Sequence, residues 1–77
     1  MKSDEIYVES EILAAFGKNL ALLRRRKGWS QEKLALESGI ARSYLSGVER
    51  GQRNIALLNI SLLAKTLEIH LSELMNF

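Results

Sequence analysis

Seventy-seven residues without a cysteine make at most one domain, and nothing but packed helices or a partner chain can stabilise it. A hydrophobic fraction of 47% with 26% charge excludes a disordered tail, no apolar run approaches the ~18 residues of a membrane span, and the acidic start Met1-Lys2-Ser3-Asp4-Glu5 argues against a signal peptide, so a soluble cytoplasmic protein is expected. The net charge of +2 is unevenly spread: residues 1–16 carry one Lys against four acids, 17–53 nine Lys or Arg against three Glu, and 54–77 one Lys against two Glu.

Apolar spacing is helical almost throughout, no segment alternates over a strand's length, and the chain holds no proline, so an all-α fold is expected. Residues 1–9 have no clear period and read as a mobile extension, although Ile6, Tyr7 and Val8 could lengthen the first helix or cover an apolar patch. Ser10 is a candidate N-cap, and Leu13, Phe16, Leu20 and Leu23 then mark one face of a helix over about 10–27. Arg24-Arg25-Arg26-Lys27 crowd its last turn, where the helix dipole favours cations, and Gly28 follows at the C′ position. Gly17 inside this helix costs roughly 1 kcal/mol relative to Ala, which a closely packed neighbour would explain.

Ser30 caps a second helix over about 31–38, with Leu34 and Ala35 inward, and Gly39 ends it. Only Gly39-Ile40-Ala41 separate it from a third helix over about 42–50, which carries Leu45 and Val48 and stops at Gly51. A turn that short makes the two helices cross steeply. A fourth helix, about 57–67, carries Leu57, Ile60, Leu63, Ala64 and Leu67 on one stripe and Leu58 and Leu62 on another. A last short helix, about 71–76, carries Leu71, Leu74 and Met75.

In the third helix the polar and small residues Arg42, Ser43, Ser46 and Gly47 fall on the side opposite Leu45 and Val48. A helix with one apolar face and one short-chain polar face can lie in a DNA major groove. Here the sequence resembles the Cro-repressor or Xre type of helix-turn-helix, over Phe16-Gly17 through Leu74. The residues that carry the resemblance are Leu23-Arg24, Gly28-Trp29-Ser30-Gln31, Leu34-Ala35, Ser38-Gly39, Tyr44-Leu45-Ser46, Glu49-Arg50-Gly51, Arg53-Asn54 and Leu63-Ala64-Lys65. Within that family the stretch from Ala41 to Asn54 is most similar to the controller proteins of restriction–modification systems. Departures are Ala41, where many members have a capping Ser, Thr or Asp, and Ile55, where many have Pro. Gly47 replaces a long base-reading side chain of some phage repressors, so fewer direct contacts are expected, and controller proteins share that glycine.

The resemblance implies a compact five-helix, lambda-repressor-like DNA-binding domain and assigns roles within it. Arg42, Ser43 and Arg53 would meet base edges. Gln31, Tyr44, Ser46, Arg50 and Asn54 would meet the phosphate or sugar backbone. Arg24 and Glu49 resemble an ion pair that ties the first helix to the third. The rest of the arginine run reads as a solvated helix end, Trp29 as a core or hinge residue, and His70 as a residue preceding or capping the last helix. No metal site, cofactor, small-molecule ligand or enzyme activity is expected: one His without Cys is a poor ligand set, and no glycine-flanked nucleophile turn exists.

Apolar surface on the fourth and fifth helices exceeds what one domain's core needs. Leu58, Leu62, Leu71, Leu74, Met75 and Phe77 are therefore the candidate homodimer interface. The expected function is a dimeric transcription regulator that binds a palindromic operator in double-stranded DNA. The alternative is an antitoxin or adaptor that keeps the fold but acts through a protein partner.

Overall fold

The computed structural model describes residues 8–77, and five helices run in the order α1 (Glu9–Arg26), α2 (Gln31–Ser38), α3 (Arg42–Glu49), α4 (Leu57–Leu67) and α5 (Leu71–Leu74). Most of the extension expected over residues 1–9 lies outside the described residues, but its end is a correction: Glu9 already belongs to α1, and Val8 rather than Ser10 is the cap. The Glu11 carboxylate causes this shift, because its Oε1 accepts from the Val8 N–H at 3.2 Å and ties down the turn that Ser10 was expected to cap.

The helix ends follow local chemistry. At the start of α2 the Ser30 hydroxyl accepts from the Lys33 N–H at 3.0 Å. Its other end needs Gly39, whose φ of 77° lets the N–H turn back to the Ala35 carbonyl at 2.8 Å. The Ser38 hydroxyl accepts from the Ile40 N–H at 3.1 Å and completes the three-residue turn into α3. α3 starts at Arg42 although Ala41 offers no capping oxygen. α4 ends in the same left-handed conformation, but on Glu68 (φ 59°), the only such non-glycine among the described residues. The carbonyls it must satisfy are met all the same: the Glu68 N–H reaches Lys65 at 3.1 Å and the Ile69 N–H reaches Ala64 at 3.0 Å.

One core joins the helices: Phe16 and Leu20 from α1, Leu34 from α2, Leu45 and Val48 from α3, Ile60, Leu63, Ala64 and Leu67 from α4, and Leu74 from α5. Trp29, Ile40 and Tyr44 pack against its rim. Gly17 explains itself in this packing, since a Cβ there would stand 2.6 Å from the Glu49 carbonyl oxygen of α3. Two sequence expectations need correction. Leu57 opens α4 before the helix reaches the core and is 69% exposed, so the inward stripe begins at Ile60. Leu74, expected at a dimer surface, is wholly buried inside its own protomer and cannot face a partner. α5 stops at Leu74 rather than near 76 because the Asn19 side-chain amide of α1 donates to the Glu73 and Leu74 carbonyls, each at 2.8 Å.

Candidate nucleic-acid interface

α3 presents two opposite faces. Leu45 and Val48 enter the core, while Arg42, Ser43 and Arg50 are exposed and Ser46 is half-buried. The acid of this helix, Glu49, is turned inward. Its carboxylate takes a bidentate grip on the Arg24 guanidinium, Nε at 2.7 Å and Nη2 at 2.9 Å, with side chains only 5% and 8% exposed. Arg24 Nη1 donates to the Trp29 carbonyl at 2.7 Å, so the guanidinium joins α1, α3 and the loop before α2. The Glu49 hydrogen bonds hold the Arg24 pKa above its ordinary value, against burial, which pushes the other way.

The Gln31 side-chain amide also donates to Glu49 Oε1, at 2.9 Å. An amide nitrogen carries two hydrogens, so one N–H remains for an outside acceptor. Gln31 is thus oriented by a buried ion pair. A shallow cleft beside it is lined by Lys18, Ala21, Leu22, Arg25, Gln31, Glu49 and Arg50. Lys18, Arg25 and Arg50 make no ion pair among the described residues, so three cations face this cleft uncompensated. Lys18 and Arg25 were missed from sequence. The signal was their seven-residue spacing, which places both on one face of a helix. Arg25 also complements the dipole at the end of α1, which by itself makes it look like part of a solvated helix end.

The loop after α3 is tied back to that helix. The Tyr44 hydroxyl donates to the Asn54 carbonyl at 3.1 Å. The Arg53 guanidinium lies 5.5 Å over the Tyr44 ring. Tyr44, Arg53 and Asn54, expected to act separately, therefore form one unit against α3. Trp29 is half-buried and packed against the core, with Lys27 and Lys33 ammoniums 5.1 and 5.5 Å from its ring. His70 precedes α5, and its N–H meets Glu73 Oε1 at 3.4 Å. No cluster of His, Cys, Asp and Glu among the described residues could hold a metal ion.

The family model described as helix-turn-helix matches residues 20–74, from the second half of α1 to the end of α5. The chain belongs to the Xre-type helix-turn-helix family. It is a DNA-binding regulator of that family, related to the control proteins of restriction–modification systems. It is 39% identical over 69 residues to the control protein C.BamHI of Bacillus amyloliquefaciens, covering 88% of this chain and 85% of that one. It is 45% identical over 65 residues to a hypothetical transcription factor of Neisseria meningitidis serogroup B, covering 84% of this chain but only 61% of the relative. The crystal structure of the restriction-modification controller protein C.AhdI from Aeromonas hydrophila superposes with a TM-score of 0.78 at 56% identity, over 80% of this chain and 94% of that one. These helix-turn-helix relatives are named as regulators, and no helix among the described residues is long and apolar enough to cross a membrane.

Proposed function

We propose that this protein is the controller of a restriction–modification system, acting in the cytoplasm as a homodimer on a palindromic operator. α3 lies in the major groove, with Arg42, Ser43 and Arg53 toward base edges. An arginine fork there suits guanine O6 and N7. Gln31, Tyr44, Ser46, Arg50 and Asn54 hold the flanking phosphates, joined by Lys18 and Arg25 in the adjacent cleft. The observation that carries this reading is the inward turn of Glu49 onto Arg24: it strips the outer face of α3 of carboxylate and leaves Arg42 and Arg50 there without an ion pair among the described residues. A duplex supplies the dense negative charge that such a positive face attracts.

The dimer covers the apolar surface on the far side. Leu58 (82% exposed), Leu62, Leu71, Met75 and Phe77 remain as its candidates, and Leu74 drops out. Two copies would set their α3 helices about 34 Å apart, one turn of B-DNA, and add their base contacts. Gel shifts with the DNA upstream of the protein's own gene test the whole reading. The expected result is a complex that survives a large excess of shuffled duplex, and equal affinity for both duplexes would contradict it.

A further inference from the structure

Gly47 sits in the middle of α3, buried, on the face that also carries Ser43 and Arg50. Its backbone is ordinary right-handed helix, so nothing in its φ demands a glycine. What demands it is space: a Cβ at position 47 would lie 2.6 Å from Arg53 Cγ, with Cβ and Cδ of the same side chain at 3.6 and 3.7 Å. The Arg53 stem crosses α3 where the side chain of residue 47 would otherwise project. Its guanidinium then rests over the Tyr44 ring, and the Tyr44 hydroxyl holds the loop by its bond to the Asn54 carbonyl.

We infer that Gly47 and Tyr44 are positioning residues for Arg53: the glycine opens a channel across the recognition helix, and the ring fixes where the guanidinium emerges. A loop arginine thereby supplies the long side chain that the helix itself lacks at position 47. This rests on the proposed DNA reading for its purpose, but the placement of Arg53 does not. An arginine whose stem lies along Gly47 and whose guanidinium rests over the Tyr44 ring loses less freedom on binding than one swinging from a loop. Its reading of a base should be correspondingly selective.

Three variants test this: Gly47→Ala, Arg53→Ala and the double variant. Alanine is the better helix former, so Gly47→Ala should stay folded and melt no lower than wild type unless Arg53 cannot move aside. It should lose discrimination of operator over shuffled DNA by roughly 5- to 150-fold, the range for one lost bidentate base contact. Arg53→Ala should lose the same, and the double variant no more than either. Should Gly47→Ala fail to fold, Tyr44→Leu removes the platform instead and is expected to lower discrimination in the same way. A readout without DNA is the proton spectrum: the Tyr44 ring should shift the Arg53 guanidinium Nε–H resonance in wild type, and Gly47→Ala should abolish that shift. Wild-type discrimination in Gly47→Ala, losses that multiply in the double variant, or an unaltered Arg53 shift would each overturn the inference. If wild type discriminates no duplex, the controller reading fails while the proton shift still decides the role of Gly47.

Discussion

The α2–α3 half and the α4–α5 half of this small domain solve opposite problems. In the first, the outer face of α3 carries positive charge, with Arg42 and Arg50 exposed and the acid of α3 folded away onto Arg24, while the exposed Leu36 and the exposed acids Glu32 and Glu37 are confined to α2. In the second, apolar side chains outnumber the places the core offers, and Leu57, Leu58, Leu62, Leu71 and Met75 are left outside. Leftover charge calls for a polyanion and leftover hydrocarbon for another apolar surface. One fold thus carries two unlike surfaces, and the Arg24–Glu49 pair, with α1 as the strut, keeps the outer face of α3 free of carboxylate.

The largest expected effect comes from breaking that strut. Glu49→Ala strands a buried guanidinium and frees Gln31, and loss of one partner of a buried pair costs about 3–5 kcal/mol. For a domain of this size that lowers the melting temperature by more than about 10 °C in a thermal melt. The Arg24 pKa is raised in the fold, so its stabilisation is whole below the ordinary arginine value and is lost only as pH rises through the raised one. The drop caused by Glu49→Ala should therefore be the same at pH 6 and pH 9. A melt within a degree or two of wild type would mean that the pair does not couple α1 to the α2–α3 half.

Smaller effects separate the residues of the charged face from one another. Arg42→Ala should cost ~1–3 kcal/mol of operator binding and relax preference at one base pair per half-site, with the melting temperature unmoved. Arg50→Ala should weaken operator and shuffled DNA alike and flatten the slope of log affinity against log salt by about one unit. Titrations at several salt concentrations distinguish the two, and equal losses for Arg42→Ala on both duplexes would move it to the phosphate group. The smallest effect belongs to the other half. Glu68 holds a left-handed turn that costs a non-glycine about 1 kcal/mol, and its exposed contact with Lys27 at 3.2 Å returns little. Glu68→Gly should raise the melting temperature by about 4–8 °C without touching DNA binding.

The two halves also differed in how well the sequence could be read. Both ends of α2 and the stop after α3 were legible because they are written in local chemistry, a serine whose hydroxyl caps and glycines where the chain turns left-handed, while the start of α3 was legible from the shortness of the turn despite the uncapped Ala41. The boundaries of α4 were legible too, but its exposed and buried leucines were not all separable, since helical period marks stripes without saying which meets the core. Leu57 and Leu74 exchanged places for that reason, one left outside and one drawn in where Asn19 of α1 clasps the end of α5. In the interface, the glycine at 47 was visible but its meaning was not, because it depends on the path of a loop six residues on. The same holds for the bond from Tyr44 to Asn54.

In the proposed function the hydrocarbon surface of α4 and α5 pairs two charged surfaces on one operator. Sedimentation at micromolar concentration, run on wild type and on Leu71→Lys combined with Met75→Lys, tests it most directly, because both residues are exposed in the protomer and absent from its core. The expected result is a dimer for wild type and a folded monomer for the variant, with the variant binding a full operator no more tightly than a half-site. A wild type that sediments as a monomer and binds one half-site as tightly as two would contradict the account.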